Sequence, residues 1–264
     1  MPTVKPKKFL GQHFLTDLKV ASDIADTVDA CPDIPVLEVG PGMGVLTQYI
    51  LKKERPFKVV EIDRESVPYL HEHFPELGNN VIEADFLKMN LETVFDGKPF
   101  VLTGNYPYNI SSQIFFKMVE HKELIPCCTG MIQKEVAERM AAKPGSKAYG
   151  VLSVLIQAWY DVEYLFTVHE NVFNPPPKVK SAVIRLTRNG KSELGCDEVL
   201  FRRIVKTVFT MRRKMMRNGM KQIVGKDSPL LADPIFNLRP EQLSVEDYIN
   251  LTNRVQEYLW NTIL

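Results

Sequence analysis

The first two-thirds of the chain alternate short apolar runs with stretches in which apolar residues recur at helical spacing. Such runs predict buried strands, and the spacing between them predicts amphipathic helices. The predicted strands are 36–40, 57–63, 80–85, 100–105 and 127–133, and the helical stretches are 43–53, 64–74, 111–121 and 134–142. Strands that alternate with helices are typical of a parallel sheet with helices on both faces. We therefore expect an α/β fold.

Two further strand-like runs, 161–168 and 181–187, follow each other closely. The prolines at 175–177 keep their connection out of regular structure. We interpret the two runs as an antiparallel, hairpin-like edge of the same sheet, which would then have seven strands.

The pattern changes after Arg188. Residues 189–195 have the composition of a linker, and no good strand follows them. The remaining apolar spacing predicts short helices at about 197–210, 212–223 and 244–260. We therefore predict two domains, 1–190 and 191–264, the second of them all-helical.

The composition is that of an ordinary globular protein, with 264 residues, 45% hydrophobic and 25% charged. No segment is apolar for long enough to span a bilayer, and the basic start lacks the apolar region of a secretory signal. The four cysteines, at 31, 127, 128 and 196, form no C-x-x-C pair and no disulfide framework. This spacing favours a reduced compartment, so we expect a cytoplasmic protein.

Charge is distributed unevenly, although the formal net charge is only +1. Residues 185–226 contain 12 Lys and Arg against 3 Asp and Glu, whereas residues 227–264 contain 2 against 6. A basic block inside a neutral protein indicates a surface for a polyanion. A solvated helical face is the alternative interpretation.

A glycine-rich turn follows the first predicted strand, in the sequence EVGPGMG. Gly40 and Gly42 would allow a tight turn and the close approach of a ligand to the backbone. The turn departs from the dinucleotide pattern G-x-G-x-x-G because its third glycine, Gly44, comes one position early. No P-loop pattern is present either, so nothing in the sequence provides for phosphates.

Acidic residues end the next two predicted strands. Glu61 is placed to accept hydrogen bonds from a ribose hydroxyl pair, and Asp85 to accept one from an adenine amino group. Phe86 would lie against that base. Together with the glycine turn, these residues indicate a nucleoside site without phosphates, which fits S-adenosylmethionine. The alternative is that Glu61 and Asp85 only cap helices.

The fourth strand leads into GNYPYN, residues 104–109. The side-chain oxygen of Asn105 and the main-chain carbonyl of Tyr106 could accept the two N–H groups of an exocyclic amine and aim its lone pair at a methyl donor. Pro107 would stiffen the link, and Tyr108 would offer a ring on which a base can stack. The alternative is a proline turn with a surface tyrosine. We expect no metal, because His71 and His73 diverge on their predicted helix.

Motifs along nearly the whole chain resemble those of the small-subunit ribosomal RNA adenine dimethyltransferases, the KsgA family. They include KKFLGQHFL, EVGPGMG, EADFL, GNYPYNISS, QKEVAERM, GSKAYGVLSV, FNPPPKVKSAV, RRKMMRN and LSVEDYINLTN. The resemblance implies a Rossmann-like class I methyltransferase fold with a mostly parallel seven-stranded sheet and a small all-α C-terminal domain. It also implies transfer of two methyl groups from S-adenosylmethionine to N6 of each of two adjacent adenosines near the 3′ end of small-subunit rRNA. The implied substrate is an immature small subunit, and we expect a monomer.

The resemblance further assigns residues to roles. Cofactor contacts would fall on His13, Leu15, Gly40, Gly42, Glu61, Asp85 and Asn105. The target adenine would be held by Asn105, Tyr106, Pro107 and Tyr108, with Phe173 as a second aromatic ring against the flipped base. RNA backbone would be bound by Lys5, Lys7, Lys8, Arg212, Arg213, Lys214 and Arg217. The family commonly has Asn where this chain has His13, whose charge state would make cofactor binding depend on pH.

Other activities remain open at this point. The large-subunit rRNA methyltransferases of macrolide resistance share the glycine turn and the Asn-x-Pro-Tyr element, although the tail matches the small-subunit group better. A DNA adenine methyltransferase would need a target-recognition domain, and none is evident. The chain could also act mainly as a binding factor in small-subunit assembly.

Overall fold

A computed structural model of the protein describes residues 4, 6, 7 and 10–263. The strands are β1 Phe14–Leu15, β2 Val36–Val39, β3 Phe57–Glu61, β4 Val81–Glu83, β5 Val101–Thr103, β6 Cys127–Gln133, β7 Tyr160–Val168, β8 Phe173–Asn174 and β9 Ser181–Arg188. The helices are α1 Leu18–Asp26, α2 Thr47–Ile50, α3 Ser66–His73, α4 Ser111–Glu120, α5 Lys134–Met140, α6 Val151–Gln157, α7 Glu198–Thr210, α8 Met216–Val224 and α9 Val245–Ile263. None of the described helices is long and apolar enough to cross a membrane.

Seven strands form one sheet in the order β4-β3-β2-β5-β6-β9-β7. The pairs β3/β4, β2/β3, β2/β5 and β5/β6 are parallel, which confirms the predicted mostly parallel sheet. β9 pairs antiparallel with β6 and lies between β6 and β7. The two runs predicted at 161–168 and 181–187 are therefore neighbours at one edge of the sheet, as expected, and the earlier strand, β7, is outermost.

A second sheet contains only β1 and β8, which are antiparallel. Leu15 lies opposite Phe173 and Phe14 opposite Asn174. The backbone N–H of Thr16 continues the pairing by donating to the Val172 carbonyl at 2.8 Å. This pairing fixes the segment that precedes α1 against the segment that precedes β9. The sequence did not predict it.

The chain divides into two compact units, and the division differs from two continuous stretches. One unit contains the chain up to Ala137 together with 161–188, and the other contains 138–160 together with 189–264. Residues 138–160 were predicted to lie in the first domain but belong to the second unit, because α6, whose central residues are buried, packs against α7. The second unit has α6 to α9 and several short 3-10 turns, and none of its described residues after Asn189 forms a strand.

The core of the first unit lies between the sheet and its helices. Cys31 and Cys127 are buried in this core and are joined by a disulfide bond, whereas Cys128 and Cys196 are free. The expectation of no disulfide was wrong, because the two bonded cysteines are 96 positions apart and only the fold brings them together.

Candidate active site

A cavity of about 300 Å³ opens where β2, β3, β4 and β5 end. The carboxyl ends of parallel strands meet at one edge of a sheet, and ligands of open α/β sheets bind there. Segments that follow these strands line the cavity, and the segment before α1 adds a further wall: the lining includes 10–15, 38–43, 60–62, 84–87 and 105–110. Its size is within the range of small-molecule sites.

The glycine turn is tied to the end of the neighbouring strand. Gly42 has φ +56°, and its backbone N–H donates to Glu61 Oε2 at 3.0 Å. A Cβ at this position would lie 3.1 Å from Phe14 Cε1, so a side chain would be both strained and crowded. The turn therefore depends on glycine here, and its conformation positions one wall of the cavity.

Glu61 is almost fully buried and accepts three backbone hydrogen bonds. Besides Gly42, the N–H groups of Ile62 and Asp63 donate to its Oε1 at 2.8 Å each. Burial raises the pKa of Glu61 above its ordinary value, and the three N–H donors only partly oppose this effect. A carboxylate offers about four acceptor positions, so one remains for a ligand.

Glu38, at the third position of β2, is a second buried acid on the cavity wall. It accepts a hydrogen bond from Thr47 Oγ1 at 2.7 Å. Burial raises the pKa of Glu38 to about 8, opposed by the Thr47 hydroxyl and reinforced by the charge of Glu61. Sequence reasoning missed Glu38, because the only sign of its role was the position of an acid inside an otherwise apolar strand.

Asp85 begins the loop after β4 and lines the cavity. Its Oδ1 accepts the backbone N–H of Leu87 at 3.0 Å, and its Oδ2 lies 3.5 Å from Lys88 Nζ. Asp85 therefore stabilises its own turn, in which no helix begins, and also lines the cavity. The ring of Phe86 beside it is buried.

The loop from Asn105 to Tyr108 is fixed to the central strands and closes over the glycine turn. The Tyr106 N–H donates to Met131 O at 3.0 Å, and the Met131 N–H donates to Gly104 O at 2.9 Å. A Cβ on Gly40 would lie 3.8 Å from Pro107 Cγ, so the loop and the turn are close neighbours.

Asn105 uses the donor half of its carboxamide within the protein. Its Nδ2 donates to the His13 carbonyl at 3.2 Å. This bond leaves Oδ1 as the acceptor half of a group that lines the cavity. A hydrogen-bond acceptor thus sits at the end of β5, where the sequence predicted one.

The side chain of Tyr106 points into the core rather than into solvent. Its ring is 1% exposed, and its Oη donates to Thr129 O at 3.0 Å and lies 3.1 Å from Cys128 Sγ. Burial raises the pKa of this phenol well above its ordinary value. The phenol therefore anchors the loop.

Tyr108 and His13 form an aromatic pair on the cavity wall. Their ring centroids are 5.4 Å apart with planes inclined by 29°. The Tyr108 hydroxyl is hydrogen-bonded to Ser181 Oγ, and His13 Nδ1 is 2.8 Å from Pro175 O. A polar contact with another segment therefore fixes the position of each ring.

The structure brings nearly all of the predicted cofactor and base residues to one cavity. Those that line it are His13, Leu15, Gly40, Gly42, Glu61, Asp85, Asn105, Tyr106, Pro107 and Tyr108. Phe173 is the exception, because it lies in β8 opposite Leu15, is 4% exposed and belongs to the hydrophobic core. It does not offer a ring to a base in this structure.

A sequence profile of the family described as "Ribosomal RNA adenine dimethylase" matches residues 3–257. The chain belongs to this family of methyltransferases. The family resemblance inferred from the motifs is confirmed, and so is the class I methyltransferase fold.

Similar proteins agree with this membership. The chain is 73% identical to "Ribosomal RNA small subunit methyltransferase A" of Phocaeicola vulgatus over 99% of this chain and 93% of that protein. It is 55% identical to the protein of the same name from Porphyromonas gingivalis, over 97% of this chain and all of the other. Among solved structures, a dimethyladenosine transferase from Plasmodium falciparum has a TM-score of 0.74 and 25% identity, covering 93% of this chain and 98% of that one. The 23S rRNA methyltransferase ErmE has a TM-score of 0.65 and 27% identity, covering 91% and 99%.

The basic residues predicted to bind RNA are not equally available in the structure. Lys5 and Lys8 lie outside the described residues. Lys7 Nζ is paired with Asp63 and lies 3.2 Å from Glu65 Oε1. Lys7 as an RNA contact therefore stays a prediction, although its charge is already matched within the protein.

In the second unit, two of the four predicted basic residues are engaged with the protein. Arg212 Nη2 donates to the Lys147 carbonyl at 2.5 Å, and Arg217 Nη2 donates to Asn237 Oδ1. Arg213 and Lys214, in the turn between α7 and α8, are exposed.

The contact made by Arg212 reveals two cations that sequence reasoning missed. The loop at 143–147 lies against Arg212 and carries the exposed side chains of Lys143 and Lys147. The available signal was the motif GSKAYG, which was noted for the resemblance but not for its charge. No group of three or more His, Cys, Asp or Glu that could hold a metal occurs among the described residues.

Proposed function

We propose that the protein transfers methyl groups from S-adenosylmethionine to N6 of two adjacent adenosines near the 3′ end of small-subunit rRNA, two on each base, in an immature small subunit. One observation carries the proposal: the Asn105–Tyr108 loop lines the same cavity as the glycine turn and Glu61. The name of the 73% identical relative, a small-subunit rRNA methyltransferase, supports the choice of substrate.

The donors and acceptors on the cavity wall fit a nucleoside cofactor. Glu61 keeps one acceptor position for ribose hydroxyls after its three backbone bonds. Asp85 and Phe86 would hold the adenine, and His13, Leu15, Gly40 and Gly42 would line the remainder of the site. When bound, S-adenosylmethionine supplies an activated methyl group.

The protein's task is then to orient the target amine. The lone pair of an adenine amino group is delocalised into the ring, which makes the nitrogen a poor nucleophile. Asn105 Oδ1 and the Tyr106 carbonyl would accept its two N–H groups, favour pyramidal geometry and direct the lone pair. No strong base is needed, because the nitrogen becomes acidic once it has been alkylated. Orientation and fixed dipoles therefore account for most of the rate enhancement.

The base must leave its stack to reach this site, which costs a few kcal/mol. Tyr108 would offset part of that cost, since stacking on an aromatic ring is worth about 1–3 kcal/mol per base. The contacts of Tyr108 with His13 and Ser181 keep its ring in one orientation before the base arrives.

Recognition of the RNA would fall largely to the second unit. Arg213, Lys214, Lys143 and Lys147 are exposed cations that flank the Arg212 contact. Cations in this arrangement neutralise phosphates without reading sequence. We further propose that the protein is a cytoplasmic monomer; the ribosomal substrate, rather than cysteine spacing, supports that location.

A large-subunit rRNA methyltransferase of the macrolide-resistance type is the second candidate. The similarity to ErmE over 91% of the chain favours it, but that identity is only 27%, against 73% for the small-subunit relative. A role mainly in subunit assembly is compatible with an active enzyme, and it would not require the arrangement at Asn105.

The proposal is tested by incubating the protein and labelled S-adenosylmethionine with small or large subunits that lack adenine dimethylation, followed by mapping of the modified bases. We expect label only in small subunits, on two adjacent adenosines near the rRNA 3′ end, as N6,N6-dimethyladenosine. Label confined to large subunits would favour the ErmE-like activity. Binding to small subunits without methylation would favour the assembly role.

A further inference from the structure

A buried lysine lies beneath the loop that contains Asp85 and Phe86. Lys117 is on α4 and only 9% exposed. Its Nζ donates to the carbonyl of Phe86 at 2.7 Å and to the carbonyl of Met89 at 2.6 Å. A buried ammonium is costly unless its N–H groups find acceptors, and here two main-chain carbonyls of one loop provide them.

Further contacts concentrate on the same loop. Lys117 Nζ is 5.4 Å from the centroid of the Phe86 ring, within the range of a cation-π interaction. Burial lowers the pKa of Lys117 from its ordinary value, and the charges of Asp85 and Glu120 oppose that effect. The loop residues Asp85, Phe86 and Leu87 line the cavity. Lys117 thus holds a cavity wall from the side facing away from the cavity.

The position of Lys117 along the chain adds a second connection. α4 begins at Ser111, directly after the 105–110 segment that lines the same cavity. The helix that follows the base-binding loop is therefore hydrogen-bonded through Lys117 to the loop at 85–89. By contrast, Lys88 is on the loop itself, its side chain is 85% exposed, and its Nζ lies 3.5 Å from Asp85 Oδ2.

We propose that Lys117 is a positioning residue that fixes the 85–89 loop in the conformation that receives the adenine of S-adenosylmethionine. This inference rests on the proposed function for the identity of the ligand, but not for the ordering of the loop. Charged hydrogen bonds to two carbonyls hold Phe86 and Met89 in place before the ligand binds. The ligand then does not have to order the loop.

The test compares Lys117→Met, which keeps the length of the side chain but removes its charge and donors, with Lys88→Met as the matched control. Hydrogen exchange of peptides covering 84–90 is measured without ligand. The Kd for S-adenosylmethionine is measured by calorimetry, and KM and kcat by methyl transfer to small subunits.

For Lys117→Met we expect faster exchange in this loop alone and a Kd and KM about tenfold higher, as the loss of charged hydrogen bonds implies. The value of kcat at saturating cofactor should stay within about threefold, because the groups that orient the amine are untouched. Lys88→Met should match the wild type in all of these. Lys117→Gln keeps one donor group, so its exchange rate, Kd and KM should fall between those of Lys117→Met and the wild type. It replaces Lys117→Met if that variant does not fold.

Unchanged exchange and unchanged Kd in the folded Lys117 variants would overturn the inference, as would a loss of kcat with an unaltered Kd. If the wild type itself does not bind S-adenosylmethionine, the proposed function fails. The exchange comparison still decides in that case whether Lys117 orders the loop.

Discussion

Two buried carboxyl groups share the cavity wall but have different partners. Glu61 accepts three backbone N–H groups, whereas Glu38 accepts the hydroxyl of Thr47 and no backbone N–H group of the described residues. Burial therefore raises the pKa of Glu38 to about 8, so this group is mainly protonated in the folded protein at neutral pH. In the unfolded chain it would ionise near its ordinary value of 4.5.

This difference predicts how stability responds to pH at Glu38. The folded state binds the Glu38 proton more tightly than the unfolded chain does. The stability that this protonation contributes is therefore fully present below about pH 4.5 and is lost as the pH rises to about 8. Glu38→Gln cannot ionise and avoids that loss. We expect the free energy of unfolding of the variant minus that of the wild type to increase between about pH 5 and pH 9, by on the order of a few kcal/mol. Denaturant unfolding across this range checks it, and a constant difference would contradict the assignment.

At the scale of elements, the segment before α1 closes one side of the cavity and is held at several points. The β1/β8 pair fixes residues 14 and 15, and Asn105 binds the His13 carbonyl. Lys7 and Gln12 both bind the carboxylate of Asp63, which lies two residues after Glu61, the last residue of β3. Burial alone would raise the pKa of Asp63, but the hydrogen bond from Lys7 and further donors lower it below its ordinary value.

Lys7→Met tests whether this contact serves the cavity rather than RNA. Because Lys7 anchors the wall at residues 10–15, we expect the Kd for S-adenosylmethionine to rise about two- to fivefold, a modest effect since the pair is partly solvated. The affinity for RNA should be nearly unchanged. A variant that loses RNA affinity but keeps cofactor affinity would restore the original interpretation of Lys7.

The elements themselves were largely predictable, and their long-range pairings were not. Alternating strands and helices imply a parallel sheet, and the parallel sheet brings Gly40, Glu61, Asp85 and Asn105 to one edge. Local pattern holds no information on the insertion of β9 between β6 and β7, or on the two-residue pairing of β1 with β8. The burial of Phe173 follows from that pairing, so the sequence could not show that its ring lies outside the cavity lining. Its contact with a flipped base stays a prediction.

The same limit applies to side-chain partners within the site. The sequence placed acceptors at strand ends, but it did not show that Asn105 donates to His13 or that Asp63 binds Lys7. It also gave no sign that Cys31 and Cys127 meet in the core. Such contacts join residues that are far apart in the chain. The burial of Glu38 and Lys117 likewise depends on residues distant from them in the sequence.

At the scale of the whole molecule, positive charge gathers in 185–226, although the chain is close to neutral. The structure distinguishes cations that bind protein groups, such as Arg212 and Arg217, from the exposed Arg213 and Lys214. Arg213 and Lys214 are therefore better placed to neutralise phosphates than Arg212 and Arg217.

Arg213→Ala combined with Lys214→Ala should therefore weaken binding to small subunits and reduce the slope of log affinity against log salt by about 2. The Kd for S-adenosylmethionine should not change, which is the reverse of the pattern expected for Lys7→Met. Lys143→Ala with Lys147→Ala should resemble the first pair. Filter binding at several salt concentrations checks these variants, and an unchanged slope in both pairs would contradict an RNA surface on the second unit.

The most direct measurement of the central claim is single-turnover methyl transfer by Asn105→Ala on undermethylated small subunits, with both ligands saturating. Asn79→Ala, an exposed asparagine outside the cavity lining, is the matched control. If the Asn105 carboxamide orients the adenine amine, its loss should slow transfer by about 100-fold or more while the subunit still binds and the control stays at the wild-type rate. Transfer by Asn105→Ala at close to the wild-type rate would contradict the account.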